Sequence, residues 1–376
     1  MTGQLPLEGG IRLSLRQRCG VIQGVEVRSI RPIPANSPFR GYTPTETLRL
    51  LPLLYAVCGT AQTVAALRAL EVAREIAVAP AQERARDLLV AAETAREHWV
   101  TVVREYEHWL GVSPPDEQRA RVHRWPERLA AILYPGGDWA EPGGGQLTPD
   151  YRVLHALIGE MAGLMAETVA SSASGAALME RLGSSRLRPF GAAPLSPLPE
   201  ISVSQWARWL AADQDAGFRA RPVWEGAPCE TGPLARQREH PLVAAALARF
   251  GAGVGSRQLA RLVELAALPA RMEALADELT DARPARANGG QQTGSGAGEV
   301  EAARGRLVHW VALDEGRIDR HRILAPTEWN FHPEGPLARG LLGATAPDDV
   351  GPGEAAEALL RSLDPCVGYT IEVDDA

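Results

Sequence analysis

The two ends of this chain alternate apolar and polar residues as β-strands do, whereas the long middle has helical spacing. Ile11, Leu13 and Leu15 fall on one face of an N-terminal segment, and residues 307–313 alternate in the same way near the other end. Residues 43–282 between them carry mostly helical periodicity. This order predicts an α+β fold in which a helical bundle core is flanked by N- and C-terminal β-containing segments.

Turn signals and composition divide the expected single domain, residues 1–376, into four segments. A capping box of Thr43 and Glu46, with Pro44 at the first helical position, predicts that the helical core begins at Thr43. A stretch rich in Gly, Ser, Asn and Gln predicts a flexible loop after the core. The four segments are an N-terminal β segment 1–42, a helical core 43–282, a flexible loop 283–298 and a C-terminal β segment 299–376.

Periodicity also predicts the positions of individual helices in the core and near the C-terminus. The predicted helical stretches are 61–112, 117–133, 149–182, 240–250, 256–280 and 353–363. The uncharged stretch 50–67 is long enough to cross a bilayer, but Pro52 and Gly59 interrupt it. We therefore predict a buried helix-turn-helix there and no membrane association.

Charge and the N-terminal sequence exclude several functional classes. The chain has 39 Lys and Arg against 46 Asp and Glu, a net charge of -7, which argues against a general nucleic-acid binder. The N-terminus lacks the basic and then apolar pattern of a signal peptide. We therefore expect a cytoplasmic protein.

The chain has four widely separated cysteines: Cys19, Cys58, Cys229 and Cys366. Their spacing excludes a self-contained zinc finger, and a disulfide scaffold is not expected in a chain of this length. Free cysteine is among the most buried residue types, so ordinary packing is the alternative for each.

Several short motifs occur in an order that resembles the large, metal-carrying subunit of NiFe-hydrogenases. The first cysteine motif, Cys58-Gly59, and the C-terminal motif, Asp364-Pro365-Cys366, lie far apart in the chain. The other motifs are the opening strand 7–12, the Arg-Gly dipeptide 40–41, the Gly-Pro-Leu-Ala-Arg run within 228–236, and the segments 301–305, 309–310 and 326–330. Their order across nearly the whole chain implies a shared fold.

The departures from that family concern its metal ligands. In the enzymes each cysteine motif is CxxC, but here the second positions are Ala61 and Tyr369. The histidines expected after the two motifs are replaced by Ala65 and Glu372. Neither alanine nor a phenol replaces a bridging thiolate, so hydrogenase activity is not expected. With two cysteines kept and two lost, the chain resembles the HupK family of hydrogenase expression/formation proteins.

This resemblance implies a non-catalytic maturation factor for NiFe-hydrogenase. Cys58 and Cys366 would hold an iron carbonyl-cyanide fragment, Fe(CO)(CN)2, before its transfer to the large subunit, and nickel is a further possible cargo. Arg304 would support the fragment through hydrogen bonds to cyanide and would lower the thiol pKa values. The Tyr369 hydroxyl would lie near the bound fragment. The implied partners are the HypC–HypD complex of Hyp maturation proteins and the immature large subunit.

Two alternatives stay open at the level of sequence. One is a metal-free structural mimic of the large subunit, or chaperone, that binds Hyp maturation proteins. The other is an altered hydrogenase or hydrogen sensor. For Tyr369 the alternative to a contact with the fragment is a side chain that only fills space.

Overall fold

The computed structural model describes residues 9–30, 38–170, 180, 187–284 and 293–375. Helices occupy most of the middle of this chain, and strands lie near both of its ends. The helices are α1 Pro44–Leu54, α2 Gly59–Ala73, α3 Pro80–Leu110, α4 Asp116–His123, α5 Trp125–Leu133, α6 Tyr151–Ala170, α7 Val203–Ala212, α8 Gly217–Ala220, α9 Pro233–Gln237, α10 Pro241–Phe250, α11 Val254–Asp277, α12 Pro326–Asn330, α13 Pro336–Leu341 and α14 Pro352–Leu363.

The strands form two three-stranded sheets. They are β1 Gly10–Arg18, β2 Val21–Ser29, β3 Gly294–Ala302, β4 Gly305–Asp314, β5 Arg317–Leu324 and β6 Gly368–Asp375. The order is β2-β1-β6 in the first sheet and β3-β4-β5 in the second. The first sheet joins the two ends of the chain, because β6 pairs in parallel with β1 while β2 pairs with β1 antiparallel.

The predicted start of the helical core is confirmed at α1. Thr43 is the N-cap: its side chain accepts a hydrogen bond from the Glu46 backbone N–H, and Glu46 accepts one from the Thr43 N–H. The helix-turn-helix predicted in 50–67 is also present, since α1 ends at Leu54 and α2 begins at Gly59. The prediction that it is buried is wrong around the turn, because Leu53 is 76% exposed and Val57 is also exposed.

Several predicted helices are shorter than periodicity suggested. The stretch 61–112 is broken between α2 and α3, where Glu75 has a left-handed backbone conformation and Pro80 begins the next helix. The stretch 117–133 is similarly divided into α4 and α5. Part of the predicted helix 149–182 lies outside the described residues, as do 1–8 of the predicted N-terminal segment.

The predicted flexible loop 283–298 is wrong for its last residues, because β3 begins at Gly294. A Cβ at Gly294, Gly296 or Gly298 would overlap the backbone of α2, whose carbonyl oxygens lie directly against this strand. The glycines therefore mark a close approach of a helix to a strand. Residues 285–292 of the loop prediction lie outside the described residues.

The main core lies where α3, α6 and α11 pack together beside β1. Leu88, Ile158 and Leu265 are fully buried there, together with the inward face of β1. Ile11, Leu13 and Leu15 form that face, as their alternation predicted. No described helix is long and apolar enough to cross a membrane.

Candidate metal centre

Two cysteines from near opposite ends of the chain line one small cavity. Cys58 precedes α2 and Cys366 follows α14, and both are free and half-buried. The cavity has a volume of about 60 Å³. Its other lining residues come from the α1–α2 turn and from the position after Cys366: Leu54, Tyr55, Ala56, Val57 and Val367. The fold thus brings together the two cysteines that the sequence singled out.

Cys58 is positioned by the N-terminus of α2. It is the N-cap residue, and the first free N–H groups of the helix are bound by a carboxylate from α3. Glu93 accepts hydrogen bonds from the Thr60 N–H at 2.7 Å and from the Ala61 N–H at 3.0 Å. Gln62, one helical turn into α2, donates from Nε2 to the Cys58 sulfur at 3.6 Å.

Cys366 is positioned by a turn at the end of α14. Asp364 has a left-handed backbone with φ 56° and ends the helix. Its carboxylate accepts hydrogen bonds from the Thr101 hydroxyl and from Arg104. The Thr327 hydroxyl lies 3.2 Å from the Cys366 sulfur. The left-handed turn at Asp364, fixed by these hydrogen bonds, therefore presents Cys366.

Arg304 is held close to both sulfurs by two acidic residues. Nε donates to the Asp364 carbonyl oxygen at 3.0 Å, Nη1 to Glu97 at 3.1 Å, and Nη2 lies 3.3 Å from the Asp364 carboxylate. Burial alone would lower the pKa of Arg304, but Asp364, Glu97 and the nearby Cys366 and Cys58 together raise it. The guanidinium therefore stays charged beside the thiol cavity.

Arg304 lowers the pKa of the Cys58 thiol, as expected, but stronger effects outweigh it. The pKa of the Cys58 thiol is raised to about 12, first by burial and then by the neighbouring Cys366 and Glu93. Gln62 and Arg304 act in the opposite direction but are outweighed. Cys58 is therefore a thiol at neutral pH, and metal binding would have to release its proton.

Tyr369 and Glu372 do not line the thiol cavity. The Tyr369 hydroxyl donates to Glu357 at 2.8 Å, and its ring lines a neighbouring cleft of about 600 Å³. Glu372 lies on β6 and accepts a hydrogen bond from the Ser14 hydroxyl at 3.4 Å. The structure does not support the predicted contact between the Tyr369 hydroxyl and a bound fragment.

The other two cysteines lie outside this cavity. Cys19 is exposed in the turn between β1 and β2. Cys229 is buried in the cluster that includes Trp206 and Trp329. Among the described residues, no group of three or more His, Cys, Asp or Glu side chains has the arrangement of a metal site.

Sequence reasoning missed three residues around the thiols: Gln62, Glu93 and Thr327. Thr327 lies inside the motif 326–330, but nothing in its spacing indicates that its hydroxyl reaches Cys366. Gln62 follows Cys58 by four positions, which places both on one helix face, and that signal was available. Glu93 comes from a different helix and had no local signal.

Comparison with known proteins identifies the family. The model of the family described as nickel-dependent hydrogenase matches residues 176–371. The hydrogenase expression/formation protein HupV of Azotobacter chroococcum mcd 1 is 32% identical over 98% of this chain and 99% of its own length. HupK of Azotobacter vinelandii is 32% identical with the same coverage. The chain belongs to the family of hydrogenase expression/formation proteins. The resemblance predicted from the motif order is therefore confirmed.

Solved structures confirm the fold expected for this expression/formation protein family. The Ni-Fe-Se hydrogenase from D. vulgaris Hildenborough superposes with a TM-score of 0.69 at 17% identity, covering 93% of this chain and 94% of that one. The hydrogenase of Dm. baculatum gives 0.66 at 18% identity over 94% and 95%. At such identities the likeness shows that the chain has the large-subunit fold, in agreement with the predicted α+β class.

Proposed function

We propose that this chain is a non-catalytic maturation factor that holds an iron carbonyl-cyanide fragment between Cys58 and Cys366. The observation that carries the proposal is the meeting of these two free thiols in one cavity beside Arg304. Membership in the family of hydrogenase expression/formation proteins supports the role in hydrogenase maturation. The cargo is a substrate, received and handed on.

The chemistry of the cavity suits a soft metal held for a limited time. Thiolates are soft ligands that suit iron carbonyl-cyanide groups and nickel. Two thiolates fill only part of the coordination sphere, so positions stay open for an acceptor. A guanidinium has five N–H groups, and the contacts to Asp364 and Glu97 use three. As far as the described residues show, up to two N–H groups of Arg304 are left to donate to cyanide nitrogens.

The residues at the second position of each cysteine motif support a role without hydrogen cleavage. Ala61 is fully buried and uses its N–H to bind Glu93, and Tyr369 binds Glu357. Neither offers a thiolate to bridge two metals. We therefore expect no hydrogen-dependent dye reduction by the purified protein.

The proposed partners are the HypC–HypD complex, as the source of the fragment, and the immature large subunit, as its acceptor. We place this exchange in the cytoplasm, because it needs two thiols that stay reduced.

The metal-free alternative is favoured by one observation, the large-subunit fold over 93% of the chain. A chain of that shape could bind the Hyp maturation proteins by surface alone. In that case the two cysteines would be dispensable.

Hydrogenase maturation in a host that lacks this chain separates the two ideas. A carrier predicts that Cys58→Ser and Cys366→Ser each abolish hydrogenase activity, whereas Cys19→Ser, outside the cavity, restores it as the wild type does. The variants are matched in chemistry, and immunoblotting checks that their amounts are equal. Full activity with the Cys58→Ser/Cys366→Ser double variant would overturn the carrier proposal in favour of the protein-only mimic.

A further inference from the structure

A row of buried hydrogen bonds leads away from the Cys58 sulfur into the second sheet. Gln62 donates from Nε2 to that sulfur at 3.6 Å, and its Oε1 lies 2.7 Å from Nε2 of His309 on β4. His309 Nδ1 in turn lies 2.9 Å from Nε2 of His321 on β5. Gln62, His309 and His321 are all at most 4% exposed. We refer to these three residues as the amide–imidazole chain.

The chemistry of each atom fixes the direction of this chain. Oε1 of Gln62 is a carbonyl oxygen and can only accept, so His309 must carry its proton on Nε2. His309 Nδ1 is then bare and accepts from a protonated Nε2 on His321. His321 Nδ1 is left bare, and it has no hydrogen-bond partner among the described residues. Every donor in the amide–imidazole chain therefore points toward the Cys58 sulfur.

Both imidazoles are suited to stay neutral, as this direction requires. Burial lowers the pKa of His309 well below its ordinary value, and the neighbouring His321 lowers it further. Burial likewise lowers the pKa of His321 to about 3, with a smaller effect from Arg219. The His321 ring also packs at a tilt against Phe39, with ring centroids 5.1 Å apart. Neutral imidazoles in fixed orientations hold the Gln62 amide in one orientation.

We propose that Gln62 is a positioning residue for the metal cargo, its amide N–H aimed at the Cys58 sulfur by His309 and His321. This inference rests on the proposed function, since it concerns a metal-bound Cys58. A sulfur bound to a metal carries no proton and is a better acceptor than a thiol. An N–H held toward it stabilises the loaded state, as outer-shell partners do at other metal sites.

The first test needs no metal. In nitrogen NMR of isotopically labelled histidine, His309 and His321 are both expected as the tautomer protonated on Nε2. Single replacements, His309→Leu and His321→Leu, assign the signals. A proton on Nδ1 of His309 would reverse the direction of these hydrogen bonds and turn the Gln62 carbonyl toward the sulfur. That result would overturn the inference.

The second test uses Co²⁺ alone as the probe, followed by its sulfur-to-cobalt charge-transfer band under anaerobic conditions. Gln62→Met keeps the side-chain volume but removes the donor. It is expected to weaken Co²⁺ binding about 10-fold or more and to move the band to lower energy, because the sulfur lone pairs lose a hydrogen bond. Gln205→Met on α7, outside the amide–imidazole chain, is the matched control and should leave both quantities unchanged.

The outcomes separate this inference from the proposed function. If the wild type binds Co²⁺ through the cysteines and Gln62→Met leaves affinity and band unchanged, the role of Gln62 is contradicted while the carrier proposal stands. If the wild type gives no charge-transfer band, the carrier proposal is contradicted, and the histidine tautomers alone decide the direction of the chain. Circular dichroism confirms that each variant is folded.

Discussion

The two sheets of this molecule hold the two cavity cysteines by different physical means. Next to the first sheet, Cys366 lies between a left-handed turn at Asp364 and the parallel strand β6, and ion pairs fix the turn. Next to the second sheet, Cys58 begins a helix that lies against glycines of β3 and is bound by Gln62 and Glu93. Ion pairs hold one thiol, and close packing with hydrogen bonds to the backbone and to the sulfur holds the other.

The cavity is therefore assembled from two separately supported halves. The Cys366 half comprises Cys366, Asp364 and Arg304, and the Cys58 half comprises Cys58, the packing of α2 on β3, and the amide–imidazole chain. Loss of a charge should affect the Cys366 half, whereas added volume or mild acid should affect the Cys58 half.

Removing the guanidinium from the Cys366 half should have the largest effect. Arg304→Met removes the partner that Asp364 and Glu97 share, and the Asp364 side chain is only 3% exposed. Arg104 still pairs with Asp364 and Arg96 with Glu97, so we expect a loss at the lower end of the range for a broken buried pair. Loss of one member of a buried ion pair costs about 3–5 kcal/mol. The free energy of unfolding of the variant and the wild type, measured by urea denaturation, gives this cost.

The matched control for that variant is Arg28→Met, because Arg28 pairs with Glu26 on the surface and is 63% exposed. An exposed pair contributes at most about 1 kcal/mol. Equal effects of the two variants would show that Arg304 does not support the turn at Asp364.

A single methyl group added to β3, which lies behind α2, should destabilise the packing that positions Cys58. A Cβ at Gly298 would overlap the carbonyl oxygen of Ala65, so Gly298→Ala should cost about 3 kcal/mol in unfolding free energy. Alkylation of Cys58, followed by mass spectrometry, should become faster, while that of Cys366 should not change.

Gly159→Ala provides the control, since Gly159 lies in α6 with no heavy atom within 4 Å of an added Cβ. It should raise stability by up to about 1 kcal/mol through helix propensity. If Gly298→Ala behaved in the same way, the close contact between β3 and α2 would be disproved.

Acid should weaken the Cys58 half through the buried histidines. The folded-state pKa of His321 is lowered to about 3 and that of His309 is also lowered, so the unfolded chain takes up protons first as pH falls. The stabilising contribution is complete above about pH 6.5 and is lost as pH falls toward 3. At pH 5 each histidine should reduce the unfolding free energy by about 2 kcal/mol relative to pH 7.5.

His321→Leu should remove about half of this loss, as measured by urea unfolding at the two pH values. His155→Leu is the control, because His155 is 40% exposed and lies outside the amide–imidazole chain. An unchanged pH dependence in His321→Leu would contradict the neutral, buried state of the pair.

Local signals in the sequence predicted much of the Cys366 half and of the helical core. The capping box at Thr43 gave the start of α1, alternation gave the buried face of β1, and motif order pointed to Cys58 and Cys366. Each of these signals resides in residues close together in the chain or in a motif with a fixed order.

Apart from the four-residue spacing between Cys58 and Gln62, local signals could not predict the support of Cys58. The glycines of β3 are typical of a loop when read alone, and only the approach of α2 explains them. The bond from Gln62 to His309 joins residues from different elements, so no spacing rule reveals it. Tyr369 shows the converse error, since a motif position close to Cys366 did not fix where its hydroxyl points.

The most direct test of the carrier is infrared spectroscopy of the protein purified anaerobically from a host that expresses NiFe-hydrogenase. We predict carbonyl and cyanide bands in the wild type and in Cys19→Ser, and their loss in both Cys58→Ser and Cys366→Ser. Bands that persist in the Cys58→Ser/Cys366→Ser double variant would contradict it, as would a wild type that supports maturation fully yet shows no such bands.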